Sequence, residues 1–307
     1  MVPFILRRLL SLIPTVLIAF TLTFLVVHAT PGSPWDESEK PLPEAVKQNL
    51  RKQYHLDDPL PKQYFDYLAS ALHGDFGPSY RNVLSVSEII QNELPISIQL
   101  GLASLAFALV VGIPLGTLAA MKQNTWIDFA ASLLTVTGVA TPPFVRVSLL
   151  IVLFSLTLHW LPTGGWNGLF DGRIIIPMIA IGSGPAAILA RYMRSSLLEV
   201  LNQDYIRTAR AKGMSERRVV YLHGLRNALI PLITLIGLEL PGLVSGGLVV
   251  EVVFGWPGIG KLAFERALQY DYTTVMGVTF FATLLVVAGN LIADVLYGIL
   301  DPRIRLA

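Results

Sequence analysis

The chain contains one stretch with the glycine and lysine spacing of a phosphate-binding loop, Gly255-Trp-Pro-Gly-Ile-Gly-Lys261. Such a loop cradles phosphates with backbone N–H groups and needs a Ser or Thr after the lysine to hold Mg²⁺. Leu262 stands at that position, and Pro257 removes one of the N–H groups. No strand-like run precedes the stretch. We therefore expect a tight turn here and no nucleotide binding.

Residue types that supply catalytic chemistry are not arranged for catalysis. The sequence contains no cysteine, and neither an H-E-x-x-H nor a G-x-S-x-G pattern occurs. The histidines are scattered without metal-ligand spacing: His28, His55, His73, His159 and His223. We therefore predict no active site, no metal and no cofactor bound by this chain, which counts against an intramembrane enzyme.

The charged residues within apolar stretches include Arg146 and Glu239, and ionisable groups are costly there and usually functional. Arg146 could face a cavity and meet a carboxylate, or extend to the lipid headgroups, or pair with an acid of a neighbouring subunit. Glu239 could line a pathway or pair with a neighbouring residue. Both are candidates for the lining of a translocation path, and the alternatives stay open.

A basic segment, residues 192–227, has the pattern of two short helices separated by a glycine. Tyr205 to Lys212 can form two turns, and Gly213 suits the left-handed conformation that ends a helix. Ser215 can cap a second helix that runs from Glu216 towards Pro231. The small side chains of Ala209 and Ala211 would let another surface approach closely. The pattern favours a docking element, with a basic membrane-flanking loop as the alternative.

The composition places these residues in a membrane protein. Of 307 residues, 53% are hydrophobic and 14% charged, whereas an average soluble domain carries about 25% charged residues. Six apolar segments are long enough to cross about 30 Å of hydrocarbon as helices. They are residues 9–28, 95–121, 129–158, 174–190, 228–250 and 276–300. Pro142-Pro143 predicts a break in the third, and the first is interpreted as a retained helix, since it is longer than a signal peptide's apolar region.

The distribution of Lys and Arg predicts the orientation. Arg7 and Arg8, the 192–227 segment and Arg303 all fall on one side for an even number of spans, and basic flanks mark the cytoplasmic side. Both termini are therefore expected in the cytoplasm. The acid-rich segment 31–93 is expected outside, with helices at about 43–54 and 62–72. The basic cluster is explained by topology, so no nucleic-acid contact is predicted.

Several motifs resemble those of a known family. They are Phe4-Ile-Leu-Arg-Arg8, His73-Gly-Asp-Phe-Gly-Pro-Ser79, Arg207-Thr-Ala-Arg-Ala-Lys-Gly213, Asn227-Ala-Leu-Ile-Pro231, Phe254-Gly-Trp-Pro-Gly-Ile-Gly260 and Asp301-Pro-Arg-Ile304. Together they span essentially the whole chain. The run from Arg207 to Gly213 resembles the EAA loop of bacterial ABC importer permeases, and more specifically that of their dipeptide/oligopeptide/nickel branch.

The resemblance implies a fold, a function and partners. The fold would be all-α with six transmembrane helices, divided into 1–30, an external helical segment 31–93, and a core permease domain 94–307. The chain would be the membrane-spanning subunit of an ATP-driven importer in the bacterial inner membrane. Its partners would be a second homologous permease subunit, two cytoplasmic ABC ATPases that hold ATP and Mg, an external peptide-binding protein, membrane lipid and the peptide. Oligopeptides are the expected cargo, with dipeptides, nickel or glutathione as alternatives and an ion-coupled secondary transporter as the rival class.

The resemblance also implies which residues couple to the ATPases. They are Arg207, Thr208, Ala209, Arg210, Ala211, Lys212, Gly213, Met214, Ser215, Glu216 and Arg217. Arg207 and Thr208 stand where the general motif has Glu and Ala, and Pro231 lies further away than in the general motif. Docking at this loop is therefore expected, whereas the individual contacts stay open.

Overall fold

The computed structural model describes residues 2–30, 35, 43–244 and 247–300. Within these ranges the regular structure is helical, apart from an isolated antiparallel bridge between Pro78 and Ser85. The helices are α1 (Val2–Ala29), α2 (Glu44–Gln53), α3 (Leu60–Leu72), α4 (Val86–Met121), α5 (Trp126–Ala140), α6 (Pro143–Leu150), α7 (Ile175–Leu201), α8 (Asp204–Ala211), α9 (Glu216–Ala228), α10 (Ile230–Val244), α11 (Leu248–Phe254), α12 (Ile259–Leu268) and α13 (Tyr272–Leu300). Ile151–Thr157, after α6, and Val219–Gly224, inside α9, are π-helical.

The long helices α1, α4, α7 and α13 each contain a stretch long and apolar enough to cross a membrane. Two bent pairs, α5 with α6 and α9 with α10, pass the same test only when each pair is taken together. The described residues thus contain four candidate spans, or up to six if each bent pair is one span. The helical class is confirmed, and the fourth segment, expected to end at residue 190, continues as α7 to Leu201.

The break predicted at Pro142-Pro143 is confirmed, but the chain turns by 111° there. The third segment therefore consists of two helices joined at a sharp bend, as the predicted break implies. Because Pro142 has no N–H, it cannot donate to the carbonyl of Gly138 four residues earlier, and α5 ends at Ala140. Pro143 then occupies the first position of α6, where a proline is favourable.

The centre of the fold is the contact between α4 and α7, which run parallel. Small residues recur every four positions along the buried face of α4: Ser104, Ala108, Gly112, Gly116 and Ala120. A side chain at Gly112 would meet the carbonyl of Ala186 at 2.5 Å, so the two backbones are in close contact. Close approach through small residues is how membrane helices gain packing energy. Gly112 and Gly116 therefore allow α4 and α7 to pack closely.

The segment after α1 packs onto α1 and α13. Phe20 of α1 stacks on Tyr67 of α3 and meets Phe280 of α13 edge-on, at ring distances of 5.7 and 6.1 Å. Both helices predicted in this segment are present. Phe65 and Leu72 of α3 remain 65% and 70% exposed.

Candidate functional site

The candidate site is the tab, defined here as residues 204–228, which comprise α8, a four-residue turn and α9. α8 ends as the sequence predicts. Gly213 has a φ of +74°, and its N–H donates to the carbonyl of Arg210 at 2.9 Å. The N–H of Met214 donates to the carbonyl of Ala209 at 3.4 Å. This paired pattern satisfies the last carbonyls of α8 and requires a left-handed residue, for which glycine is best suited.

The tab has a small apolar core of its own. Ile206 of α8 and Val219 of α9 are completely buried, Ala209 is 8% exposed, and Leu201 and Met214 pack against them. The first and second helices are thereby held face to face. Ala209 consequently lies inside the tab, so the expectation that it opens a surface to a partner is wrong, while Ala211 is exposed.

Polar contacts clamp the two helices of the tab together. Nε of Arg210 donates to one carboxylate oxygen of Glu216 at 2.7 Å, and Nη2 donates to the other at 3.3 Å. Such a two-point contact is the most directional ion pair available to these side chains. Nδ2 of Asn227 donates to the hydroxyl of Tyr205 at 2.9 Å, which ties the far end of α9 back to the start of α8. Arg210 and Glu216 therefore maintain the shape of the tab.

The second helix of the tab departs from the prediction in two ways. Ser215 stands at the position before α9 but makes no side-chain capping bond. α9 widens into a π-helix over Val219–Gly224 and is bent by 42° against α10, so no continuous helix reaches Pro231. Pro231 lacks an N–H, and the chain breaks just before it. The hydroxyl of Ser196 donates to the carbonyl of Ala228 at 3.0 Å and so satisfies a carbonyl at this break.

The tab presents a basic surface. The residues of the predicted coupling set that are exposed are Arg207, Thr208, Arg210, Ala211, Lys212, Gly213, Ser215, Glu216 and Arg217. Met214 is half-buried and Ala209 buried. Glu216 is already paired with Arg210, so the charge offered outward is mainly positive. The arrangement can bind an acidic or polar groove, and it holds no group positioned for catalysis.

An ion pair next to the tab was not anticipated from the sequence. Arg194 of α7 donates to both carboxylate oxygens of Asp128 of α5, at 2.6 and 2.7 Å. The N–H of Asn124 adds a third bond to this carboxylate at 3.0 Å, and the Asp128 side chain is 7% exposed. The pair holds the start of α5 against α7. Its only sequence signal was two opposite charges at the ends of separate apolar segments.

Of the two candidate residues for the translocation path, the structure describes the side-chain bonds of Arg146. Nη1 of Arg146 donates to the carbonyl of Gly138 at 2.8 Å and to the hydroxyl of Ser183 at 2.7 Å. The Gly138 carbonyl is the one that Pro142 leaves without a helical donor, so Arg146 bridges the break between α5 and α6. Glu239 lies in α10, and its side chain lies outside the described part of the chain.

The stretch that resembles a phosphate-binding loop is a turn built around a buried carboxylate. Glu251, completely buried, accepts from the N–H groups of Gly260 and Lys261 at 2.8 and 3.1 Å and from the hydroxyl of Ser97 at 2.8 Å. It thus occupies the start of α12, where a phosphate would have to bind, and the expected turn is confirmed. The ring of Trp256, in the same turn, is fully buried.

With this geometry known, the sequence can be compared with known proteins. Residues 112–306 match the family described as "Binding-protein-dependent transport system inner membrane component". Residues 1–101 match the corresponding N-terminal family, "Binding-prot-dependent transport system membrane comp, N-term". The first match alone covers more than half of the chain and includes the tab. The chain belongs to this family.

Relatives of this permease family match it from end to end. The oligopeptide transport system permease protein OppB of Escherichia coli (strain K12) is 43% identical over 306 residues, which are 99% of this chain and 100% of OppB. The dipeptide transport system permease protein DppB of Bacillus subtilis (strain 168) is 40% identical over 307 residues, 100% of this chain and 99% of DppB. The permease family inferred from the motifs is therefore confirmed, and the chain is a transport subunit of an ABC importer.

A solved structure supports the same fold. The crystal structure of an amino acid ABC transporter superposes with a TM-score of 0.55 at 15% identity, over 68% of this permease and 92% of that chain. At this identity the likeness concerns the fold alone. It agrees with the helical architecture described above.

Proposed function

We propose that this permease forms half of the translocation pathway of an ATP-driven importer for oligopeptides. The observation that carries the proposal is its 43% identity to an oligopeptide permease over 99% of the chain. A second permease subunit, two cytoplasmic ATPases and an external peptide-binding protein complete the transporter. ATP and Mg bind to the ATPases, and this chain binds no cofactor.

The proposed topology has six spans, with each bent pair counted as one, and both termini in the cytoplasm of the inner membrane. The parallel course of α4 and α7 supports it, because both helices then end on the side of the tab. The N-terminal end of α4 meets the segment that follows α1, which includes Phe76. α4 has 36 residues and is therefore about 54 Å long. The tab and that segment are separated by roughly this distance, as expected for opposite sides of a bilayer.

The tab is the proposed site of coupling to one ATPase. Its apolar core and the Arg210–Glu216 ion pair hold its two helices together. A movement of the ATPase bound to its exposed face would therefore displace α7 and α10. ATP can change the direction in which the pathway opens only if the ATP-bound ATPases bind one arrangement of the permease pair more tightly than the other. The proposed coupling residues are 207–217, with Ala209 acting from inside the tab.

The pathway itself is proposed to handle peptides without gripping them tightly, since tight binding would slow release. Glu239 stays a candidate for its lining. Arg146 is proposed to shape the path by holding the break between α5 and α6, because its guanidinium is bound to Gly138 and Ser183.

Transport by purified components tests the proposal. The permease pair, reconstituted with its ATPases in liposomes, should take up a labelled oligopeptide only when the binding protein and ATP are present. The matched control replaces the ATP-binding lysine of the partner ATPases, which should abolish uptake. Uptake that continues in this control and follows a proton or sodium gradient would instead establish a secondary transporter.

Dipeptide cargo is the second candidate, favoured by the 40% identity to a dipeptide permease over the full chain. Competition with unlabelled peptides of two to five residues, nickel or glutathione in the same assay separates the cargo alternatives. An oligopeptide importer should be inhibited best by the longer peptides.

A further inference from the structure

A pocket outside the coupling site lies at the end of the fold opposite the tab. It is enclosed by the end of α1, the α2–α3 connection, α3, the loop that follows α3 and the start of α13, and its volume is about 340 Å³. Pockets that hold small ligands begin at about 300 Å³. The pocket is therefore large enough for a side chain or a small organic group.

The lining of this pocket is rich in aromatic rings. Five of its lining residues are Phe24, Tyr54, Tyr67, Tyr80 and Tyr272. The rings of Tyr54 and Tyr80 lie 4.8 Å apart at a steep angle, and the ring of Trp35 lies 6.0 Å from each of them. Burial raises the pKa of Tyr67 and of Tyr80 well above the usual tyrosine value, so both phenols stay neutral. Neutral rings that converge on a space are the setting in which organic cations are bound.

The lining carries more acidic than basic groups. Asp58, Asp66 and Asp75 line the pocket beside His28 and His55, and the lining contains neither Lys nor Arg. Asp58 is already bonded to Lys62 at 2.7 Å, so Asp66 and Asp75 supply the excess negative charge. Among the described residues no group of His and acidic side chains is arranged to hold a metal ion. An organic cation fits this lining better than a metal does, because Leu56 and Met276 also offer an apolar wall for an alkyl stem.

We propose that this pocket binds the lysine-like or arginine-like side chain of a cargo peptide before the peptide enters the pathway. The proposal rests on the proposed function, since it takes peptides as the cargo. It adds a site on this subunit that favours basic peptides. The cation would lie against the rings of Tyr54 and Tyr80, with Asp66 and Asp75 supplying the opposite charge.

The first test measures binding to the complete transporter in lipid nanodiscs. The probe is Nα-acetyl-lysine N-methylamide, and the control is the norleucine analogue, which has the same stem without the charge. We expect saturable binding of the lysine probe, and weaker binding by about fivefold for Tyr80→Leu, since one cation–π contact is lost. Tyr80→Phe keeps the ring and should bind normally. Asp75→Asn keeps the acceptor for the N–H of Gly77 and should weaken binding by removing the charge alone.

The outcomes of this test are distinct. Equal binding of the norleucine analogue, or no difference between Tyr80→Leu and Tyr80→Phe, overturns the proposal. Lys40 of this chain lies in a part of the sequence outside the described residues. Binding that appears only after Lys40→Gln would mean that the chain's own lysine is the occupant, which also overturns the proposal. None of these measurements needs transport, so they stand apart from the test of the proposed function.

The second test separates cargo recognition from docking of the binding protein. In uptake assays Tyr80→Leu should raise KM for a lysine-containing peptide by about fivefold and leave KM for a neutral peptide of equal length unchanged. An equal rise for both peptides would show that the pocket serves docking, and would refute the assignment to cargo.

Discussion

Replacing Gly213 by valine should detach the ATPases from the permease without preventing its insertion. The φ of +74° at Gly213 is costly for any residue with a Cβ, and most costly for a β-branched one. An added Cβ would meet no atom within 4 Å, so the expected effect at this atom is backbone strain of about 2 kcal/mol. A strain of this size lowers the ratio of correctly shaped to distorted tab by roughly thirtyfold.

The assay is co-purification of the ATPase subunits with the permease, together with peptide uptake. Gly213→Asn is the matched variant, because asparagine tolerates the left-handed region, and it should retain most of both activities. Gly74→Val is the control for strain elsewhere, since Gly74 has a φ of +79° and open space around it. It should leave ATPase co-purification unchanged. If Gly213→Val co-purified and transported normally, the reasoning that the tab needs this turn would be refuted.

Three further variants test other parts of the structure. Gly116→Val should lower the thermal stability of the purified transporter strongly, because its side chain would press on the backbone of Ala190 and on Met193. Gly242→Ala should have little effect on thermal stability, because the added Cβ would have no atom within 4 Å. Asp128→Asn removes the charge that faces Arg194 and should destabilise the protein by about 1–3 kcal/mol in detergent unfolding, and an unchanged midpoint would contradict the structural role of the pair. Arg146→Met leaves the Gly138 carbonyl without its donor and should cost about 1–3 kcal/mol in the same unfolding measurement, with equal effects on uptake of acidic and neutral peptides. A selective loss for acidic peptides would show instead that Arg146 meets the cargo.

Much of the candidate site followed from local patterns. The stop of α8 at Gly213 was predictable because a left-handed helix end depends on one residue and its nearest neighbours. The break at Pro142-Pro143 was predictable for the same reason, since a missing N–H acts within one helical turn. The apolar length of the segments also identified a membrane protein, because a helix of that length can cross hydrocarbon with its backbone polar groups bonded internally.

Partners that are distant in the sequence were not predictable. Asp128 and Arg194 are 66 positions apart, and Ser97 and Glu251 are 154 positions apart. No local sequence pattern indicates that any of these four residues has a partner so far away in the chain. The burial of Ala209 inside the tab also depends on tertiary packing. From the sequence, α8 could present either its alanines or its arginines to a partner.

The residue types and their order along the chain predict the class of the protein, its helices, and the glycine and proline positions at which the chain must turn. These properties depend on the chemistry of each residue and on neighbours within a few positions. Three-dimensional packing sets how far α5 and α6 fold back, which carboxylates are buried, and which rings of α1, α3 and α13 line a common pocket. Those features arise where segments far apart in the chain meet, and their energy depends on the distances between side chains.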